Sequence, residues 1–111
     1  MPAMTASEVW DVIVDELNVA AHRSVSPKKL SVVVDPKDPE AVSVTLPKES
    51  TGVTLKKQGT RITIRHDVHD TSESITYWQI KGDLIESESL PQTLYPPKEF
   101  VETIVLDPLQ G

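Results

Sequence analysis

The chain has 111 residues, 17 of them acidic and 11 basic, for a formal net charge of -6. That length suits one domain over residues 1–111, at the usual roughly 100–200 residues per domain, and leaves no room for a two-lobed enzyme with an interdomain cleft. Cysteine is absent, which excludes disulfide frameworks, thiolate zinc sites and cysteine nucleophiles.

The first element runs from Thr5 to His22. Thr5 and Glu8 have the spacing of a capping box, in which the hydroxyl accepts from the Glu8 amide and the carboxylate reaches back to the Thr5 amide. Val9, Trp10, Ile13, Val14, Leu17, Ala20 and Ala21 follow at three-and-four spacing, the pattern of a helix with one buried face. His22 and Arg23 fall at its end, where positive charge complements the helix dipole. Trp10 lies on the apolar stripe and is read as core.

After Lys29 the period changes to two. Leu30–Val34 reads as a strand rich in β-branched residues, and Asp35-Pro36-Lys37-Asp38-Pro39 as a turn. Ala41–Leu46 alternates as a second strand, ended by Pro47. Val53–Lys57 and Thr60–His66 flank Gln58-Gly59, a tight hairpin with glycine available for positive φ. Ser74–Lys81 is a fifth strand closing on Gly82-Asp83, and Leu84–Glu88 is a short sixth. A proline-rich loop then leads to a helix beginning at Pro97, with Phe100, Val101, Ile104 and Val105 at helical spacing and a stop expected at Asp107-Pro108.

Helix, five or six hairpin-linked strands, helix: this layout predicts an α+β two-layer fold with an antiparallel sheet and both terminal helices on one face. The other sheet face would then carry the alternate strand residues. If Ile62 and Ile64 point toward the helices, Arg61, Thr63 and Arg65 point away, as do Thr54 and Lys56 on the preceding strand. In the fifth strand two registers are open. Trp78 and Ile80 inward would leave Ile75, Tyr77, Gln79 and Lys81 outward; the opposite register exposes Trp78 and Ile80.

Arg65-His66-Asp67-Val68-His69-Asp70 gathers imidazoles and carboxylates, ordinary ligands for zinc, manganese or iron. In an extended segment His66 and His69 face opposite sides, and helical ligand spacing is missing, so no metal site and no cofactor are assigned. A small hydrolase or nuclease using His66 or His69 with Arg65 is the alternative, since one tuned histidine suffices for acid–base work. There is no Gly-x-Ser-x-Gly elbow, and the four glycines never cluster into a phosphate loop.

No apolar run exceeds three residues, so neither a membrane helix nor a signal sequence is expected, and a cytoplasmic location is assigned. Negative charge opposes nucleic-acid binding through bulk electrostatics. What remains is a face bearing Lys56, Arg61, Thr63, Arg65, Tyr77 and Lys81, a mixture of Arg and aromatic residues suited to protein contacts. Cross-strand acids such as Glu73 are expected to neutralise part of it. The expectation is a small acidic, non-enzymatic module that binds a protein partner, or itself as a homodimer, through this face or an edge strand. At the level of layout alone it resembles small secretion chaperones and bacterial immunity or phage inhibitor proteins; no residue motif carries that likeness.

Overall fold

The computed structural model describes residues 5–25, 29–46, 51–68 and 72–110. Helix α1 spans Ala6–Arg23, and Thr5 caps it as the sequence predicts: its Oγ1 accepts from the Glu8 amide at 3.2 Å while its own amide donates to Glu8 Oε1 at 3.0 Å. Val9, Trp10, Ile13 and Leu17 are buried along one face.

Seven strands follow: β1 (Ser31–Asp35), β2 (Asp38–Leu46), β3 (Thr51–Gln58), β4 (Arg61–Val68), β5 (Ser72–Lys81), β6 (Leu84–Ser87) and β7 (Leu94–Tyr95). They form one antiparallel sheet in which spatial order equals sequence order. The expected count of five or six strands is therefore corrected to seven. The addition is β7, two residues set among prolines, too short to show an alternation in sequence.

The turns explain why neighbours in sequence become neighbours in space. Gly59 and Gly82 open the β3–β4 and β5–β6 loops with φ of 62° and 63°, while Thr60 and Asp83 keep negative φ. That is the pattern of a type II′ turn, which requires glycine first and matches strand twist. In the β1–β2 turn, Asp35 Oδ1 accepts from the Lys37 amide at 2.8 Å, the aspartate-to-backbone bond expected there.

The alternation of the strands settles the register of β5. Trp78 and Ile80 are buried together with Val42, Val44, Leu46, Val53, Leu55, Ile62, Ile64 and Ile85. These residues share one cluster with Val9, Trp10, Ile13 and Leu17 of α1 and with Phe100, Val101, Val105 and Leu109 from the C-terminal helical segment. Trp78 is its aromatic centre, with the Phe100 ring at 5.1 Å edge-on and the Tyr95 ring at 6.0 Å. The indole N–H groups are satisfied: Trp10 donates to the Pro39 carbonyl and Trp78 to Thr76 Oγ1, both at 3.1 Å.

The C-terminal segment is not the single regular helix expected. It comprises α2 (Pro97–Phe100), a π-helical stretch over Val101–Leu106 and α3 (Asp107–Gln110). The Asp107 amide bonds to the Glu102 carbonyl, five residues back. Pro108 has no N–H for the Ile104 carbonyl, so the ordinary ladder breaks there and the wider turn lies just before the break. The helix continues past Pro108 because Leu109, only 6% exposed, adds its side chain to the core.

Candidate functional site

Sheet register brings all six sequence-predicted site residues to one face. Thr63 pairs with Lys56 on β3 and with Tyr77 on β5. Arg61 and Arg65 are two positions either side of Thr63, and Lys81 is four beyond Tyr77, so the two-residue pleat keeps them on the same side. Ile75 stands opposite Arg65 and Gln79 opposite Arg61. Ile75 and Tyr77 are 46% and 39% exposed, adjacent outward positions on β5.

The geometry is more constrained than a solvated basic patch. Arg61 makes two bonds to Glu88, Nε to Oε2 at 2.9 Å and Nη2 to Oε1 at 3.1 Å. Its guanidinium carbon lies 4.1 Å from the centre of the Tyr77 ring, within cation–π range. Gln79 Nε2 donates to Glu88 Oε2 at 2.9 Å and is itself placed by Thr60 Oγ1, 3.0 Å from Gln79 Oε1. Lys81 Nζ lies 2.6 Å from Glu86 Oε1, and the Gln92 amide donates to Glu86 Oε2 at 3.1 Å. Gln92 takes a left-handed φ of 76° in that loop. Lys56 approaches Asp38 more loosely, at 4.0 Å.

These bonds act on the carboxylates. The Gln79 amide and then the Arg61 guanidinium hold the Glu88 pKa below its ordinary 4.5. The Lys81 ammonium and then the Gln92 amide do the same for Glu86. Both favour the ionised form because donors are aimed at it.

Glu86 and Glu88 are the site residues that sequence reasoning missed. Their signal was present. A two-residue turn at Gly82-Asp83 places Lys81 opposite Leu84 and Gln79 opposite Glu86, and two residues further the Glu88 amide donates to the Tyr77 carbonyl at 3.0 Å. Glu73, the acid expected from sequence to balance the patch, pairs with Asp67 along the backbone, but its side chain lies outside the described residues.

The alternative histidine set is not assembled on this face. His66 pairs with Val53 and Ser74, so it points to the core side of β4, whereas Arg65 points outward. His69 lies outside the described residues. Among the described residues no three His, Asp or Glu side chains gather as a metal centre would require, and no helix is long and apolar enough to cross a membrane. A separate groove of about 350 Å³ runs between α1 and the C-terminal segment, with Val19, Ala20 and Val101 between Arg23, Lys98 and Glu102.

Comparison of the chain with protein-family models, with curated proteins and with solved structures finds no match in any of the three.

Proposed function

We propose that the protein is a non-enzymatic interaction module. The two terminal helical segments share the core side of the sheet, and the opposite side docks another protein around Tyr77, Arg61, Arg65 and Ile75. The observation that carries this reading is the Glu88–Arg61–Tyr77 stack with its Gln79 brace. A tyrosine held under a bidentate arginine has already lost much of its rotamer freedom, so less entropy remains to be lost on binding. Tyrosine and arginine are also the residue types that dominate binding energy in protein interfaces.

Charge supports a protein partner over nucleic acid. Arg61, Lys81 and Lys56 already face Glu88, Glu86 and Asp38, and the chain as a whole is acidic. Phosphate contacts require cations that can exchange counterions for phosphates, and the ion pairs compete with that.

The test is affinity capture from a native extract with wild type, Tyr77→Ala and Ile75→Asp, each checked for an unchanged far-ultraviolet spectrum. A partner confirmed with purified components should lose about tenfold or more in affinity on either substitution, the scale of a hot-spot truncation. Equal binding by all three would move the docking surface elsewhere. A fluorescent single-stranded oligonucleotide should show no saturable binding at physiological salt; saturation there would favour nucleic acid.

A further inference from the structure

We infer that β1 pairs antiparallel with β1 of a second copy, joining two sheets edge to edge about a two-fold axis through Val33. This rests on the interaction-module reading but uses the edge of the sheet, not its face.

The core is unfinished at that edge. Val34 pairs with Val42, which is 1% exposed, so Val34 is on the core-facing side of the sheet; yet it is 39% exposed. Val33, on the outward side, is 56% exposed. β1 is the terminal strand of the sheet, and among the described residues no other strand pairs with its free edge. The opposite terminus is β7, only two residues long. Edge strands of proteins that stay single are usually shortened, or carry lysine or proline within the strand. Ser31-Val32-Val33-Val34-Asp35 has neither within its five residues, and its ladder to β2 is regular from Ser31 to Val34, with the irregularity confined to the Val34–Asp35 step.

The sequence of the strand selects the occupant and the register. For the cores of both copies to lie on the same side of a continuous sheet, core-facing residues must oppose core-facing residues, so registers shift in steps of two. Centring on Val32 would set Ser31 against Val33 of the second copy and bring the buried Leu30 into the ladder. Centring on Val34 would set Val33 against Asp35 and bring Pro36 in, which cannot donate a bond. Centring on Val33 sets Val33 against Val33, Val32 against Val34 and Ser31 against Asp35. All five residues then pair, valine meets valine at the three central positions, Ser31 meets Asp35 at each end, and no two carboxylates are opposed. Val34 is covered by Val32 of the second copy, which closes the core at that edge.

A five-residue ladder is a small interface, and each copy carries a charge of -6, so the dimer should be weak and should strengthen with added salt.

The absence of native cysteine makes the register directly readable. Residues opposed in an antiparallel pair have Cα atoms about 4.5–5.5 Å apart, within disulfide range, whereas the two copies of residue 34 would be roughly 8 Å apart. Under mild oxidation with oxidised glutathione, Val33→Cys should therefore yield a covalent dimer, and Val34→Cys should remain largely uncrosslinked. Light scattering on wild type should show mass rising toward twice the monomer with concentration, and Val33→Lys should shift it back to monomer with its melting temperature retained.

A wild type that stays monomeric at the highest soluble concentration, with Val33→Cys no faster than Val34→Cys, would overturn the proposal. So would a dimer that survives Val33→Lys and is lost in Ile75→Asp, which would assign self-association to the sheet face. Retained partner binding by a monomeric Val33→Lys protein would leave the face reading standing on its own.

Discussion

Lys57 is the residue whose placement composition alone would not suggest. It occupies a core-facing position on β3 at 8% exposure, and Nζ reaches Glu40 Oε2 at 2.6 Å. Its aliphatic stem lies among apolar neighbours while its head finds a single carboxylate at the edge. Removing the carboxylate strands a nearly buried ammonium, so Glu40→Ala should destabilise by about 1–3 kcal/mol in urea unfolding. Lys57→Met removes the charge together with its need for a partner and should be close to neutral. The carboxylates of the outward network predict a pH signature. A group whose folded pKa is lowered stabilises the fold above its ordinary value of 4.5, and that contribution disappears as pH falls through the folded value. Glu88→Gln should therefore melt below wild type at neutral pH, and the gap should narrow as pH falls below 4.5 and through the lowered folded value, where wild type also becomes protonated. A gap independent of pH would show that the Gln79 and Arg61 bonds do not act through the charge. At this scale the sequence was informative about residue type and silent about contact: Arg61 and Arg65 were legible as sharing one face, but Tyr77 joins them only in one of the two registers open to its strand, and the position of the guanidinium over the ring depends on Glu88, 27 residues away.

At the scale of elements, the hairpins and the helix were the most legible features because their causes are local. Thr5 and Glu8 close a capping box within one turn, and Gly59 and Gly82 supply the left-handed φ their loops demand. Boundaries were less legible: β2 begins at Asp38 and β5 at Ser72, earlier than alternation indicates, because a strand extends as far as its neighbour offers hydrogen bonds. The C-terminal segment was misjudged for a related reason. Helical spacing up to Pro108 reads as an ordinary helix, whereas the core contact of Leu109 carries it past the proline. Packing also sets the energetic weight of each strand. Ile64 is fully buried at the centre of β4, so Ile64→Ala should lower stability by about 2–5 kcal/mol, the transfer loss plus an unfilled cavity. Thr63→Ala, one residue away on the outward face, should change it by less than about 0.5 kcal/mol. Chemical denaturation of the two variants checks the face assignment of the whole strand.

Across the molecule, a sheet in plain sequence order brings distant charges of opposite sign together without any crossover. Glu86 of β6 and Glu88 just beyond it reach Lys81 of β5 and Arg61 of β4 because each hairpin folds back on its predecessor. The sequence by itself determined the α+β class with its antiparallel sheet, the strand face that Arg61 and Arg65 share, and the glycines of the turns, since each follows from periodicity or from a backbone demand within a few residues. Only the tertiary structure decided that Arg61 and Lys81 are held by Glu88 and Glu86, that the register of β5 turns Tyr77 outward, that a seventh strand joins the sheet among the described residues, and that Val34 lies on the core-facing side while 39% exposed. These depend on which strand lies beside which, and at the sheet's edge on the absence of a further strand among the described residues, a fact that no local pattern encodes.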